Sequence, residues 1–473
     1  MGLCDLFGLY RDKLGRKNMR GKVFMNKNIK RLISFILSPA VLSLSLPYAA
    51  AEEYPVEDLY KENGDVYSIE IDDETDGFEF GLNYTDHGTY YLNRDGTLLK
   101  DCLKSAEGHT FWFGNDGRAF TGRHIIEGKE RTFNELGQYI RQHINTDYVD
   151  STVMYDYESL TEDLYLLKRR YPEIFDYDSI GTTDDEREIW HITLGNPDAD
   201  KQIVIAASCH AREHVTSLLV MDMTEQVLNK YYTDEYDGIP YSELFGDYAV
   251  HIIPMLNPDG VSISRFGEEG IKSPFIAAEV REIYKNAAAS GETGLSPEQY
   301  YRRWKANGHG IDINRNFDAK WEIIDDLGGP SGWNYKGEEP VSEVESQSIV
   351  NFIDTLDNPM TIVSYHSTGS MLYWDYGQED DLRIRSIAQR DLIVSLTGYT
   401  PLEYSETSAG GLSDYIAASD IGAVPQTIEV GVGEAPVDMS EYPSIWRKNK
   451  YVLPALAKLY MGEHADDIQE EET

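Results

Sequence analysis

The chain has 473 residues, 82 acidic against 42 basic, for a formal net charge of −40 at pH 7. That balance excludes nucleic acid and anionic membrane as natural partners and fits plain solubility. The length suggests two or three domains with a large core, and the only cysteines, Cys4, Cys102 and Cys209, exclude a disulfide framework.

Lys27, Lys30 and Arg31 precede an apolar run over residues 32–46, and Ala49-Ala50-Ala51 supplies a cleavage site. Residues 1–51 thus read as an export signal, with Met25 as an alternative start, and the apolar part is too short for a comfortable membrane span. The mature chain is expected to begin near Glu52 and to be secreted or held at a bacterial cell wall. Residues 52–81 are acidic and weakly patterned, and no fold is assigned to them.

A repeat fills residues 82–145. Tyr90-Tyr91-Leu92 leads to Gly96, Phe111-Trp112-Phe113 to Gly117, and Arg131-Thr132-Phe133 to Gly137. Each unit is an aromatic strand followed by a turn with Asn and Gly, so each suits a β-hairpin. A step of about 20 residues indicates a small solenoid. The units resemble the aromatic cell-wall-binding repeats of bacterial surface proteins, including the choline-binding type. That resemblance implies a wall glycan or teichoic acid as partner, held by aromatic faces. Such repeats are richer in Trp, and only Trp112 stands here. A spacer, or a prodomain packed on the main domain, is the alternative.

Residues 146–464 form the main domain, ahead of an acidic tail over 465–473. Tyr157, Leu160, Leu164 and Leu167 give a helical apolar face that stops at Tyr171-Pro172. Residues 189–194 read as a strand, and strand and helix alternate from there, which implies a parallel or mixed sheet covered on both faces. Residues 261–301 are a polar segment with a helical middle at 276–289. It either shapes access to the cleft or is a surface insertion. A closing helix runs through Leu453, Leu456 and Leu459.

The chemistry centres on Cys209-His210-Ala211-Arg212-Glu213-His214. It follows a buried strand, Ile203-Val204-Ile205-Ala206-Ala207, and precedes an amphipathic helix over 215–232. His210 and Glu213 therefore sit beyond the carboxyl end of a strand, where open α/β sheets bind ligands. Imidazole and carboxylate three residues apart can chelate one zinc ion from the same side. Taken alone, His-x-x-Glu is a weak signal. Four more stretches strengthen it: Leu256-Asn257-Pro258-Asp259-Gly260, residues 310–317, a strand over 362–369 carrying His366, and Thr427-Ile428-Glu429-Val430-Gly431.

Together, in this order, these stretches resemble the zinc carboxypeptidase family over residues 155–460. The resemblance implies an α/β/α sandwich around a mixed sheet. His210, Glu213 and His366 would hold one zinc ion and leave a fourth position for water. Glu429 would move the water proton to the leaving amine. Asn314 and Arg315 match the pair that holds a substrate carboxylate, and Arg212 a further substrate contact. Lys305 follows Trp304 where the family usually has the oxyanion-steadying arginine; it keeps the charge but loses the fork. The family's mobile tyrosine aligns with Glu406, and nearby Tyr404 is the substitute. Ser413 lies at the expected floor of the specificity pocket, small and polar. Cys209 and His214 read as packing residues.

Lys305 in Arg303-Trp304-Lys305-Ala306-Asn307, with residues 366–369 and Tyr373-Trp374, looks closest to a bacterial branch containing γ-D-glutamyl-meso-diaminopimelate peptidases. The expected activity is a secreted zinc metallopeptidase of carboxypeptidase type, cutting peptide bonds near a free carboxylate in peptides or muropeptides. Zinc deacylases of N-acyl amino acids share the ligand pattern and are the alternative. A non-catalytic wall-binding protein is the third reading, opposed by the intact ligand set and Glu429.

Overall fold

The computed structural model describes residues 78–461, apart from 79, 86, 95, 107–108, 127–128, 134–135, 141–147, 152–153 and 404–408. The expected export signal, most of the acidic segment, the acidic tail, Tyr404 and Glu406 lie outside the described residues. No helix among those described is long and apolar enough to cross a membrane.

Three hairpins come first: β1–β2 (Gly81–Thr85, Gly88–Leu92), β3–β4 (Cys102–Ala106, His109–Phe113) and β5–β6 (Gly122–Ile126, Lys129–Phe133), the last extended by β7 (Tyr139–Ile140). Gly96 and Gly117 follow the second strand of a hairpin and lead to single antiparallel bridges, Leu92 with Leu98 and Phe113 with Ala119, while Gly137 stands between β6 and β7, which pair antiparallel. Gly96 and Gly117 have φ of 82° and 79° and close turns through Gly96 N–H to Asn93 O (3.0 Å) and Gly117 N–H to Gly114 O (2.9 Å). Such positive φ costs glycine no Cβ clash. The aromatic residues turn inward: Tyr91, Phe111 and Phe113 are buried together with Ala119.

The main domain is built on one eight-stranded mixed sheet. Its strands are β8 (Phe175–Thr182), β9 (Glu188–Gly195), β10 (Lys201–Ala207), β13 (Tyr248–Ile253), β14 (Pro359–Ser367), β15 (Met371–Tyr373), β16 (Thr400–Leu402) and β17 (Val424–Val430). A separate two-stranded ribbon, β11–β12 (Glu235–Tyr236, Ile239–Pro240), precedes β13. The order across the sheet is β16-β15-β17-β14-β10-β13-β9-β8. The central strands β13, β10, β14 and β17 run parallel, and β8, β9 and β15 join antiparallel.

Residue alternation along β10 shows why both faces are covered. Ile203, Ile205 and Ala207 enter one apolar core, while Val204 and Ala206 enter the other. Side chains alternate faces along a strand, so a continuous apolar run supplies two cores at once. The first core packs against α1 (Tyr157–Arg170) and α2 (Val215–Lys230), and the second against helices later in the chain. The α/β/α sandwich read from the sequence is the observed fold.

The long segment between motifs is not a loose insertion. It folds as α3 (Pro258–Phe266), α4 (Pro274–Ser290) and α5 (Pro297–Arg302). These bury Ile276, Val280, Tyr300 and Trp304 in a third core that includes Ala211 of the His-x-x-Glu turn. The segment thus supports the metal-binding turn. Its α3 end also carries the hairpins: Arg94 N–H donates to Glu269 Oε2 (3.3 Å), and Lys104 Nζ donates to Glu269 O (3.3 Å) while lying over the Phe266 ring.

Candidate metal centre and active site

The chain turns sharply where β10 ends. Ser208 adopts φ of 49°, a strained value for a residue with a side chain. Hydrogen bonds hold it there: its N–H donates to Thr216 Oγ1 (3.0 Å), and its hydroxyl lies 2.7 Å from Ser217 Oγ. The short 3₁₀ turn Ala211–Glu213 then brings His210 and Glu213 together.

His366 reaches the same point from β14, the strand beside β10. Glu213 Oε1 lies 2.9 Å from His210 Nδ1, Glu213 Oε2 lies 2.9 Å from His366 Nδ1, and the two imidazole nitrogens are 3.1 Å apart. All three side chains are buried. Burial alone would raise the Glu213 carboxyl, but His210 and His366 beside it hold it well below the usual range. Two imidazole nitrogens and an ionised carboxylate converging on one point form a zinc ligand set, and three protein ligands leave a fourth position open.

The surroundings fit the same ion. Asp312 Oδ1 stands 3.2 Å from His210 Nε2, on the far side of the ring from Glu213. A carboxylate there fixes which imidazole nitrogen is free to ligate. Burial pushes the Asp312 carboxyl up, yet His210, Lys305 and Arg315 hold it far below the ordinary value. Ser367 N–H donates to Glu213 Oε2 (3.1 Å) and fixes the carboxylate.

Glu429 projects from β17, opposite His366 in the strand register. The residue is half-buried, and its Oε2 is buried with no hydrogen-bond partner. Burial, then Glu213, push its carboxyl up to about 7, against the opposing pull of His366, Lys305 and Arg212. A carboxyl that titrates near neutrality is suited to accept and return a proton. Lys305 and Arg212 are thus the cations nearest in effect to Glu429, and both are half-buried.

On the other side, Asn314 Oδ1 accepts from Leu412 N–H (3.2 Å), and Arg315 Nη1 donates to Asn314 O (2.7 Å). These bonds pin the pair against the start of the helix Leu412–Ala418. Ser413 Oγ and Tyr376 OH each lie 2.8 Å from Thr427 Oγ1, so the start of that helix is tied to β17 by a cluster of hydroxyls. Tyr373 stands in this part of the cleft with a raised phenol, from burial and then Glu429, opposed by Arg315.

Three residues were named in the sequence without these roles. Asp312 appears only inside the 310–317 stretch, two residues before Asn314. Asn257 reads there as part of a turn; here its amide donates to Cys209 O (3.1 Å) and Ala306 O (3.1 Å), and its carbonyl accepts from Gly260 N–H (2.9 Å). It ties the metal turn to the Lys305 loop. Tyr373 marked a branch and now stands beside Glu429 and Arg315. His214 and Cys209 are buried as expected; burial, with Arg265 and Arg302, lowers His214 to about 3 and keeps its ring neutral.

Fold and site together define a zinc-dependent hydrolase. Residues 160–431, more than half the chain, match the model of the zinc carboxypeptidase family, and the chain belongs to that family. A relative named gamma-D-glutamyl-L-diamino acid endopeptidase 1, of Lysinibacillus sphaericus, is 26% identical over 326 residues, 68% of this chain and 76% of its own. The mast cell carboxypeptidase A of Homo sapiens is 24% identical over 215 residues, 45% of each chain. Among solved structures, thrombin activatable fibrinolysis inhibitor shares the fold with a TM-score of 0.53 at 16% identity, over 67% of this chain and 78% of that one.

Proposed function

We propose that this zinc peptidase is exported and cuts stem peptides of bacterial peptidoglycan at a bond next to a residue bearing a free carboxylate. The observation that carries the reading is a cleft with cations and a carboxyl in separate places. Arg315 stands on one side, and Glu429 faces the ligand set in the middle. Similarity to a γ-D-glutamyl-diamino acid endopeptidase supports the substrate class.

Bound zinc supplies Lewis-acid polarisation of the scissile carbonyl and makes water more acidic. The residues of the chain do the rest. Asn314 and Arg315 hold the carboxylate of the departing half, as planar guanidinium recognition requires. Glu429 takes a proton from water and delivers it to the leaving amine. Lys305 and Arg212 offset the negative charge that develops on the carbonyl oxygen. The hairpins place this chemistry at the wall in the same reading, although their aromatic core faces inward and their outer face meets the enzyme through Arg94 and Lys104.

The test uses the purified mature chain, with zinc and with chelator, against three panels: free-carboxylate peptides, muropeptides and N-acyl amino acids. Chelator-sensitive release of diaminopimelate-type products from muropeptides is the expected result. Turnover of N-acyl amino acids alone would overturn it in favour of a deacylase.

A further inference from the structure

A second cavity of about 510 Å³ opens beside the metal turn. Three motif segments each send a neighbour of a site residue into its wall. His214 follows Glu213, Arg302 precedes Lys305 by three positions, and Pro436 follows Glu429 on the same connection. None of Asn314, Arg315 or Ser413 lines it, so it lies apart from the carboxylate pair described above.

The wall carries polar groups that the fold leaves without partners. His214 is 1% exposed, and neither ring nitrogen has a hydrogen bond. Arg265 gives its terminal nitrogens to Met154, to Sδ (3.1 Å) and O (3.4 Å), while its Nε is buried and unpartnered. Among the described residues Arg302 has no ion pair. Two acids of the same lining have partners outside it: Glu268 Oε2 pairs with Arg281 (2.7 Å), and Glu269 Oε2 accepts from the Arg94 N–H of the hairpins. Glu298 is exposed at the start of α5. Buried polar groups without partners cost free energy, so the His214 ring and the Arg265 Nε, with the exposed Arg302 on the same lining, suit an acceptor with negative charge.

We infer that this cavity binds a carboxylate on the acyl half of the substrate, with Arg302 and His214 as its contacts. The inference rests on the proposed wall-peptide reading and deepens it. In a γ-linked glutamyl peptide the α-carboxylate stays free, a few bonds from the scissile carbonyl, on the side away from the leaving amine. The two halves of such a substrate then each present a carboxylate to its own arginine: one to Arg315, one to Arg302. Arg302 acts here as a specificity residue.

The test compares two probes that differ at one group: N-acetyl-L-alanyl-γ-D-glutamyl methylamide with a free α-carboxylate, and its α-carboxamide. Binding to the full chain is measured by calorimetry, with and without zinc, alongside KM for the matching diaminopimelate substrates. The carboxylate should bind roughly tenfold tighter or more, the scale of a charge-assisted hydrogen bond. Arg302→Gln should collapse that ratio towards one, and Arg302→Lys should restore part of it. Equal binding of the two probes, or a preference that survives Arg302→Gln, overturns the inference. Failure to cleave either glutamyl substrate, with turnover of a plain C-terminal peptide, would instead sink the wall-peptide reading; the calorimetry still decides the cavity.

Discussion

His366 and Glu429 are register partners on adjacent parallel strands, β14 and β17. A zinc ligand and the proposed proton carrier are therefore set by the same sheet, not by loops. Rigid elements hold such groups more closely than loops do. The relationship also explains the protonation of Glu429. The strand pairing buries its carboxyl near Glu213, and nothing hydrogen-bonds its Oε2.

Glu429→Gln should abolish turnover while leaving zinc binding intact. It should also stabilise the metal-free protein. The sign follows from linkage. The folded carboxyl titrates at about 7 and an unfolded one near the ordinary 4.5, so the folded state holds more protons between them. Stability from this group is thus lost as pH rises through that window and stays lost above it. Removing the charge restores up to about 3 kcal/mol at pH 8. Thermal melts of both chelated proteins at pH 5 and pH 8 check this; a gap that does not widen with pH would refute it.

How much of this was legible beforehand depends on sequence separation. His210 and Glu213 are three residues apart, so their chelating turn shows directly in the chain. The strands carrying His366 and Glu429 show as apolar runs, and the alternation of strand and helix after residue 189 forecasts a sheet covered on both faces. The contact of Asp312 with His210 has no such trace, because it depends on how the 305–317 loop folds back. The docking of the hairpins is similar: Lys104 meets Glu269 across 165 residues, and no period links them. The hairpin pairing was legible only in part, for a local reason. An Asn- and Gly-rich turn signals a reversal but not which two strands it joins.

Asp312→Asn should weaken zinc binding by about 10- to 100-fold, the usual effect of losing the outer partner of a ligating histidine. The fold should survive, since the amide fills the same volume. A competitive chelator titration of the metal would show it. Unchanged affinity would mean that His210 keeps its tautomer without Asp312.

Asn257→Ala removes one cap bond and two bonds that join the metal turn to the Lys305 loop, at a fully buried position. A lost cap costs about 1 kcal/mol, and each buried acceptor left alone about 1 kcal/mol or more. The expected destabilisation is about 2–4 kcal/mol, with weaker zinc binding because the turn loosens. Denaturant unfolding of the chelated variant, which removes the metal's own contribution, measures it. A loss below about 1 kcal/mol would show that water replaces these bonds.

Acid should unfold the protein partly through His251. Its ring stacks on His191, whose Nε2 lies 2.9 Å from His251 Nδ1, and burial followed by His191 lowers it from 6.5 to about 4. A base with a lowered folded pKa binds fewer protons in the folded state between those values. Stability from this group is therefore complete above about pH 6.5 and falls as pH drops towards 4. His191 Nδ1 is itself 2.7 Å from Asp178 Oδ1, so the chain of groups runs Asp178, His191, His251 across β8, β9 and β13. Proton NMR of the His251 ring between pH 7 and pH 4 tests the order of events. The ring should stay neutral down to the onset of unfolding; a titration near 6.5 in the folded protein would remove this source of acid sensitivity.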